Sequence, residues 1–264
     1  VTAAVQAARM GRSAILVSPY GHLGGMSSSG LGWSDIGNDA ILGGLAREFY
    51  HRIYQHYQSP QAWTHERREA FKNEGQGVPG LNEKTELASV FEPKVAEAVF
   101  DAMIEEAGVK IVVGRLDLRD GVVVSDKRIT AIRLEDGSKI KGTIFIDASY
   151  EGDLLPGAGV SFVVGRESNA EFGERGNGNT GMARKNQLPN GIDPYVVKGD
   201  PASGLLPGVG RDAGGQPGDG DHRLQAYCYR MVLTDVPENR VAVEKPVGYD
   251  EARYELLFRA IEAG

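Results

Sequence analysis

The sequence has little of the residue types on which several protein classes depend. It holds one cysteine, Cys228, among 264 residues, which excludes an intrachain disulfide and an iron–sulfur cluster held by this chain alone. No apolar run approaches the roughly 20 residues that a membrane-spanning helix requires. The net charge is -7, and a nucleic-acid partner is not expected because phosphate binding needs clustered basic residues.

Motifs of three common enzyme classes are also absent. The HExxH, CxxC and Walker A patterns do not occur, so a metalloprotease, a dithiol enzyme or a P-loop ATPase has no support, and no metal site is predicted. Charged residues at 25% and hydrophobic residues at 41% are typical of soluble globular proteins. Neither a cytoplasmic nor an exported location is favoured.

The start of the chain carries the strongest pattern. Residues 1–9 are predicted as a small-residue helix, residues 13–18 as a buried strand, and a glycine- and serine-rich segment follows at 24–30. This order is typical of the second half of a nucleotide-binding βαβ unit, in which the helix N-terminus faces a pyrophosphate. We therefore expect a fragment that lacks the first strand and the glycine-rich turn. The alternative is an ordinary alanine-rich surface helix with a Ser/Gly turn.

The rest of the chain predicts a mixed α/β protein. Apolar periodicity and turn signals predict helices at 45–57, 94–106 and 250–262 and strands at 109–113, 121–125, 129–134, 138–141, 143–148 and 224–234. Residues 143–148 are almost wholly apolar, which predicts a strand buried on both faces. Residues 165–220 are rich in Gly, Asn, Pro and Asp and predict long loops, and the C-terminal part of the second domain is expected to lie beyond the chain.

The order of these motifs resembles the FAD-dependent oxidoreductases of the glutathione-reductase-like superfamily, especially a bacterial group related to heterodisulfide reductase. The resemblance rests on HLGGMSSSG (22–30), FEPKVAEAVFDAMIEEAG (91–108), IDASYEGDLLPGAGV (146–160), YVVKGDPASGLLPGV (195–209) and GDGDHRLQAYCYRMVLTDVPENR (218–240). It implies a Rossmann-like FAD-binding domain with a β-meander at 1–165. Residues 166–264 would form part of an α+β substrate or cap domain with long loops.

The resemblance also implies which residues hold FAD. The end of the second strand usually carries an acidic residue for the ribose hydroxyls, and this chain has Ser18 there, so the two-point carboxylate contact is lost. The implied cofactor-binding residues are Ser18, Gly24, Gly25, Met26, Ser27, Ser28, Leu116, Ala148, Ser149, Gly152 and Asp153. Asp153 could instead be a carboxylate that stabilises a helix N-terminus, and His22 either approaches the cofactor or only packs.

Candidate catalytic residues follow from a polar strand in the second half of the chain. His222, Arg223 and Tyr227 lie in a segment whose cationic and hydroxyl groups suit a polar or carboxylate-bearing small molecule. His222 is the predicted proton-transfer group because imidazole titrates near neutral pH. The alternative is a solvent-facing edge strand.

The predicted function is hydride transfer between an organic substrate and flavin N5, with the electron acceptor left open. Two other interpretations remain. One is an NAD(P)-binding dehydrogenase, and the other is a non-catalytic flavin-binding or electron-transfer subunit.

Overall fold

The structure, a computed structural model, describes residues 1–181, 188–211, 215–225 and 230–264. The chain divides into two compact units. The first comprises Val1–Phe162 with Cys228–Arg240, and the second comprises Val163–Tyr227 with Val241–Gly264. The first unit combines helices with small sheets and is therefore an α/β fold.

Five α-helices occur among the described residues. They are α1 (Thr2–Arg9), α2 (Gly44–Gln58), α3 (Pro93–Glu106), α4 (Leu154–Ala158) and α5 (Glu255–Glu262). Pro93 occupies the first turn of α3, where the N–H that proline lacks would have no partner within the helix. Asp250 caps the 3₁₀ turn Glu251–Tyr254 before α5 by accepting a hydrogen bond from the backbone N–H of Ala252. None of the helices in the described ranges is both long and apolar enough to cross a membrane.

Seven short strands form three small sheets in the described part of the first unit. They are β1 (Ile15–Ser18), β2 (Leu81–Asn82), β3 (Leu87–Ala88), β4 (Lys110–Val113), β5 (Val122–Ser125), β6 (Arg128–Arg133) and β7 (Lys139–Lys141). β1 pairs with β4 in parallel, β2 with β3 in antiparallel, and β5, β6 and β7 form an antiparallel meander. The predicted β-meander is therefore confirmed.

The turn between β6 and β7 shows how local sequence fixes this hairpin. Gly137 has φ of 83°, a left-handed conformation that glycine adopts without strain. Asp136 accepts a hydrogen bond from the backbone N–H of Ser138 at 2.8 Å. This Asp-Gly pair gives the hairpin that the sequence predicts.

The hydrophobic core of the first unit lies between α2 and α3. Phe49 of α2 stacks on Phe100 of α3 with ring centroids 4.4 Å apart, and Phe91 meets Phe49 edge-on at 5.9 Å. Val5 of α1 and Met103 of α3 are fully buried in the same cluster. Leu23, next to the glycine pair, is buried in this cluster as well, so the core anchors the segment that follows β1.

The strand predicted at 143–148 is wrong, and the described part of the strand predicted at 224–234 is not a strand; residues 226–229 lie outside the described residues. Residues 143–148 form no strand, because they make no ladder pairing with any of the described strands, and Ile144 and Ile146 are 78% and 65% exposed. Residues 224–225 and 230–234 also form no strand, and Leu233 is 80% exposed. β1 exists, but it is not buried as predicted, since Ile15 is 46% exposed.

Candidate functional site

The carboxyl ends of β1 and β4 lie side by side. Ser18, the last residue of β1, pairs with Val113 of β4, and its carbonyl accepts a hydrogen bond from the backbone N–H of Gly114 at 2.8 Å. The Ser18 hydroxyl accepts a hydrogen bond from the backbone N–H of Tyr20 at 3.3 Å. In parallel α/β sheets, ligands bind beyond these carboxyl ends, so Ser18 stands at the edge where a ligand is expected.

The glycine pair that follows β1 forms a tight turn. Gly24 and Gly25 have φ of 105° and 59°, and the 3₁₀ turn Gly25–Ser27 begins directly after Gly24. A Cβ atom on Gly24 would lie 2.5 Å from Cδ2 of Phe100. Glycine at position 24 therefore lets the backbone pack against α3.

The predicted cofactor residues after this pair differ in exposure. Met26 is 55% exposed, whereas Ser28 is buried and its hydroxyl donates a hydrogen bond to the carbonyl of Leu23. The Ser28 side chain therefore stabilises the turn through this hydrogen bond.

The loop before α4 is organised by one carboxylate. Asp147 accepts hydrogen bonds from the backbone N–H of Leu154 at 2.8 Å and from the N–H and hydroxyl of Ser149 at 2.9 and 2.7 Å. Burial opposes ionisation of Asp147, but these hydrogen bonds outweigh it and lower the pKa of its carboxyl. The Ser149 hydroxyl in turn accepts from the N–H of Asp153 at 2.9 Å. Asp147 is thus the residue that shapes the predicted segment 148–153.

Contacts bring the predicted cofactor segments together within the first unit. A Cβ atom on Gly25 would lie 2.9 Å from the hydroxyl oxygen of Tyr150, so the glycine turn and the 147–153 loop touch. Leu116 and Asp153 line one cleft with residues of the β4–β5 connection and with Gly157 of α4. The glycine turn thus meets the 147–153 loop, and that loop shares a cleft with Leu116.

This arrangement fits a flavin dinucleotide by the chemistry of its groups. Such a ligand needs backbone that permits close approach and hydroxyl or N–H groups for its phosphates and ribose. The left-handed turn at Gly24 and Gly25, the Ser18 hydroxyl at the strand end, the exposed Ser149 and the half-buried Asp153 meet these needs. The described residues therefore fit FAD.

The predicted catalytic residues belong to the second unit. Arg166 and Asp221 form an antiparallel bridge with backbone hydrogen bonds of 2.7 and 3.0 Å, and their side chains form a bidentate ion pair. The hydrogen bonds from Arg166 lower the pKa of Asp221 to about 2. A Cβ atom on Gly165 would lie 2.1 Å from the carbonyl oxygen of Asp221, so glycine is needed for this close approach.

His222 and Arg223 directly follow this bridge. His222 is exposed, and its Nδ1 lies 3.3 Å from the carbonyl oxygen of Val164. Arg223 is exposed too, and its Nε lies 3.9 Å from Oδ2 of Asp221. No strand is present at 221–225, so the predicted polar strand is not formed in the described residues, and Tyr227 lies outside them.

Sequence reasoning misses three features of the first unit. Asp147 is not identified, although the spacing Asp147-Ala148-Ser149 is typical of a carboxylate that accepts from the N–H two residues on. Tyr150 gives no local signal, since only the fold brings it to Gly25. His22 lies 2.5 Å from Glu97 and 3.0 Å from Ser29, a grouping that no linear spacing reveals.

Comparison with known proteins adds the family. A family model described as FAD dependent oxidoreductase matches residues 1–264. A search of the curated proteins finds no match to the chain. Because the family match spans the full sequence and the residues of the first unit fit the cofactor, the chain belongs to the FAD-dependent oxidoreductase family, and it is an FAD-dependent oxidoreductase with FAD as its cofactor.

Proposed function

We propose that the protein transfers a hydride between a polar or carboxylate-bearing organic substrate and N5 of FAD. When bound, FAD supplies the two-electron carrier that such an oxidation requires. The family match supports flavin-dependent oxidoreductase chemistry. The observation that carries the cofactor placement is the contact of Gly25 with Tyr150, because it joins two of the cofactor-binding segments.

Each cofactor segment has a proposed task in the first unit. The Ser18 hydroxyl serves the ribose, with one hydrogen bond where a carboxylate would offer two. The stretch from Gly24 to Ser28 runs past the flavin, where its backbone permits close approach. The backbone at Leu116 meets the adenine, and the loop from Ala148 to Asp153 closes the site.

The proton-transfer role is proposed for His222. A carbonyl only accepts hydrogen bonds, so Nδ1 of His222 carries the proton that faces Val164, and Nε2 of the neutral ring is the acceptor. A neutral imidazole with Nε2 as acceptor is suited to remove a proton from a hydroxyl or amine while hydride leaves the adjacent carbon.

Arg223 is proposed to bind the substrate's charge. Its guanidinium can form paired hydrogen bonds with a carboxylate, which fixes both position and orientation. The neighbouring Asp221 is engaged by Arg166, which holds the segment in place. A substrate that bears a carboxylate next to an oxidisable C–H bond matches these two side chains.

Anaerobic reduction of the bound flavin tests this proposal. The FAD-loaded protein is mixed with 2-hydroxy acids, amino acids and their uncharged amide analogues, and loss of the visible flavin absorbance is followed. We expect His222→Gln to slow bleaching about 100-fold. We expect Arg223→Gln to raise KM for the acids about tenfold or more and to leave the amides unaffected.

The matched control is Arg253→Gln, which removes an exposed arginine of the same unit outside the predicted segment. It should leave bleaching unchanged. An FAD-loaded protein that no compound of this panel reduces would contradict the substrate class, and equal rates for wild type and His222→Gln would exclude the proton-transfer role.

A further inference from the structure

A serine, a histidine and a glutamate form a connected group beside the glycine pair of the first unit. Nδ1 of His22 lies 2.5 Å from Oε1 of Glu97, and Nε2 of His22 lies 3.0 Å from Oγ of Ser29. Each ring nitrogen therefore has its own partner. This is the order of contacts in which a carboxylate orients an imidazole and the imidazole activates a hydroxyl.

The direction of the hydrogen bonds depends on the tautomer of the His22 ring, and the Glu97 carboxylate favours one of the two. An ionised carboxylate only accepts, so Nδ1 of His22 donates to Glu97. In the neutral ring Nε2 is then an acceptor, and the Ser29 hydroxyl donates to it. The Ser29 proton thus points at a base that can remove it.

The local backbone does not need this side-chain group to hold its shape. The N–H groups of Ser29 and Leu31 both donate to the carbonyl of Met26, at 3.2 and 3.0 Å, and so close the turn through main-chain bonds. Ser29 is exposed, and the side chains of His22 and Glu97 are 41% and 34% exposed. A small molecule can therefore reach the Ser29 oxygen from solvent.

We propose that Ser29 is an activated nucleophile that accepts acyl groups from small activated carboxylic esters. Ser29 Oγ forms a bond to the ester carbonyl carbon while its proton passes to Nε2 of His22. The ester C–O bond then breaks, and the alcohol leaves with that proton. Water cleaves the acyl-serine to a carboxylic acid and restores the hydroxyl.

The three residues have different parts in this step. Ser29 is the nucleophile, His22 is the general base and then the general acid, and Glu97 is a positioning residue that fixes the imidazole. Small esters are the expected class because the group is reached from the surface, without entry into a cavity. The proposal requires neither bound flavin nor a substrate of the oxidoreductase, so its failure is distinguishable from failure of the hydride-transfer proposal.

Covalent labelling of the purified full chain tests the proposal. The protein is incubated with a fluorophosphonate, whose phosphorus bonds to an activated serine oxygen as fluoride leaves, and the modified residue is located by peptide mass spectrometry. We expect modification at Ser29 and none in Ser29→Ala. We expect His22→Ala to slow labelling about 100-fold and added imidazole to restore part of the rate.

Glu97 is tested by a conservative pair. Glu97→Gln should slow labelling several-fold, and Glu97→Asp should retain more of the rate because it keeps a carboxylate. The melting temperature and FAD content of each variant are measured beside the rate. A purely structural glutamate would change the melting temperature without this ordering of labelling rates.

Ser125 provides the matched control, since its hydroxyl lies 3.4 Å from a carboxylate oxygen of Asp126 without an intervening imidazole. Ser125 should stay unmodified in wild type, and Ser125→Ala should label at the wild-type rate. Folded wild-type protein whose Ser29 is not modified would overturn the proposal, even if every His22 variant failed to fold. Equal labelling of wild type and folded His22→Ala would overturn it too.

Discussion

Tyr150 lies against Gly25, where a Cβ atom would stand 2.9 Å from the phenol oxygen and 3.9 Å from Cζ. Gly25 also has φ of 59°, a region that costs other residues roughly 1 kcal/mol or more. The contact joins the glycine turn that follows β1 to the loop that precedes α4. A change at either residue should therefore affect both predicted cofactor segments.

A double-mutant cycle measures this contact. We expect Gly25→Ala to lower the free energy of unfolding by about 1–3 kcal/mol, through backbone strain and contact with the Tyr150 oxygen. Tyr150→Phe removes that oxygen, so the double variant should recover at least about 0.5 kcal/mol of the loss. Urea unfolding provides the values, and strictly additive effects would show that the two residues do not touch.

Gly24 should tolerate substitution less well than Gly25. A Cβ atom there would lie 2.5 Å from the Phe100 ring, which is held by stacking on Phe49, and φ is 105°. We expect Gly24→Ala to cost about 2–4 kcal/mol. Gly21→Ala is the control, because nothing lies within 4 Å of its Cβ position, and it should stay within about 0.5 kcal/mol of wild type.

Substitutions of Asp147 and Asp153 should change different properties, namely the free energy of unfolding for Asp147 and the affinity for FAD for Asp153. Asp147→Ala removes the acceptor of hydrogen bonds from Ser149 and Leu154, and we expect a loss of about 1–3 kcal/mol in unfolding experiments. The Asp153 side chain makes no capping hydrogen bond to α4. Asp153→Ala should therefore keep the melting temperature and weaken FAD binding. An Asp153→Ala variant that loses stability but binds FAD normally would contradict the proposed role of Asp153 in cofactor binding.

The ionised carboxylate of Glu48 should make the free energy of unfolding depend on pH. Hydrogen bonds from Arg9, opposed by burial and reinforced by Arg52, lower the pKa of Glu48 to about 2. The unfolded value is about 4.3. Because the folded pKa is the lower one, ionised Glu48 stabilises the protein fully above about pH 4.3, and this contribution is lost as the pH falls towards 2.

The corresponding experiment compares Glu48→Gln with wild type. After allowance for solvent screening, we expect a difference of about 1 kcal/mol at about pH 7 that shrinks as the pH falls below about 4. Glu105→Gln, at an exposed position of α3, should show no such difference at either pH. A Glu48→Gln difference that is constant with pH would contradict the ion-pair explanation.

Features encoded by neighbouring residues could be predicted from the sequence. Pro93 with its apolar stripe predicts α3, and Asp136-Gly137 predicts the β6–β7 hairpin, because helix starts and tight turns depend on a few adjacent residues. The glycine pair at 24 and 25 is recognisable for a similar reason. Their left-handed conformation is a property of the turn itself.

Features that depend on distant partners could not be predicted. Residues 143–148 have strand composition, but a strand also needs a neighbour for its hydrogen bonds, and composition does not name one. The contacts of His22 with Glu97 and of Gly25 with Tyr150 form only when the chain folds. The sequence therefore identifies the separate segments of the predicted site, and only the structure shows which of them lie close together.

Hydrogen–deuterium exchange with and without saturating FAD tests the central claim most directly. The account places FAD on the glycine turn and on the loop before α4, so it predicts slower exchange at residues 24–28 and 148–153 when FAD is bound. Helix α5, which belongs to the second unit, serves as the internal reference. Stoichiometric FAD binding that leaves both segments unchanged, or that protects other segments instead, would contradict the proposed site.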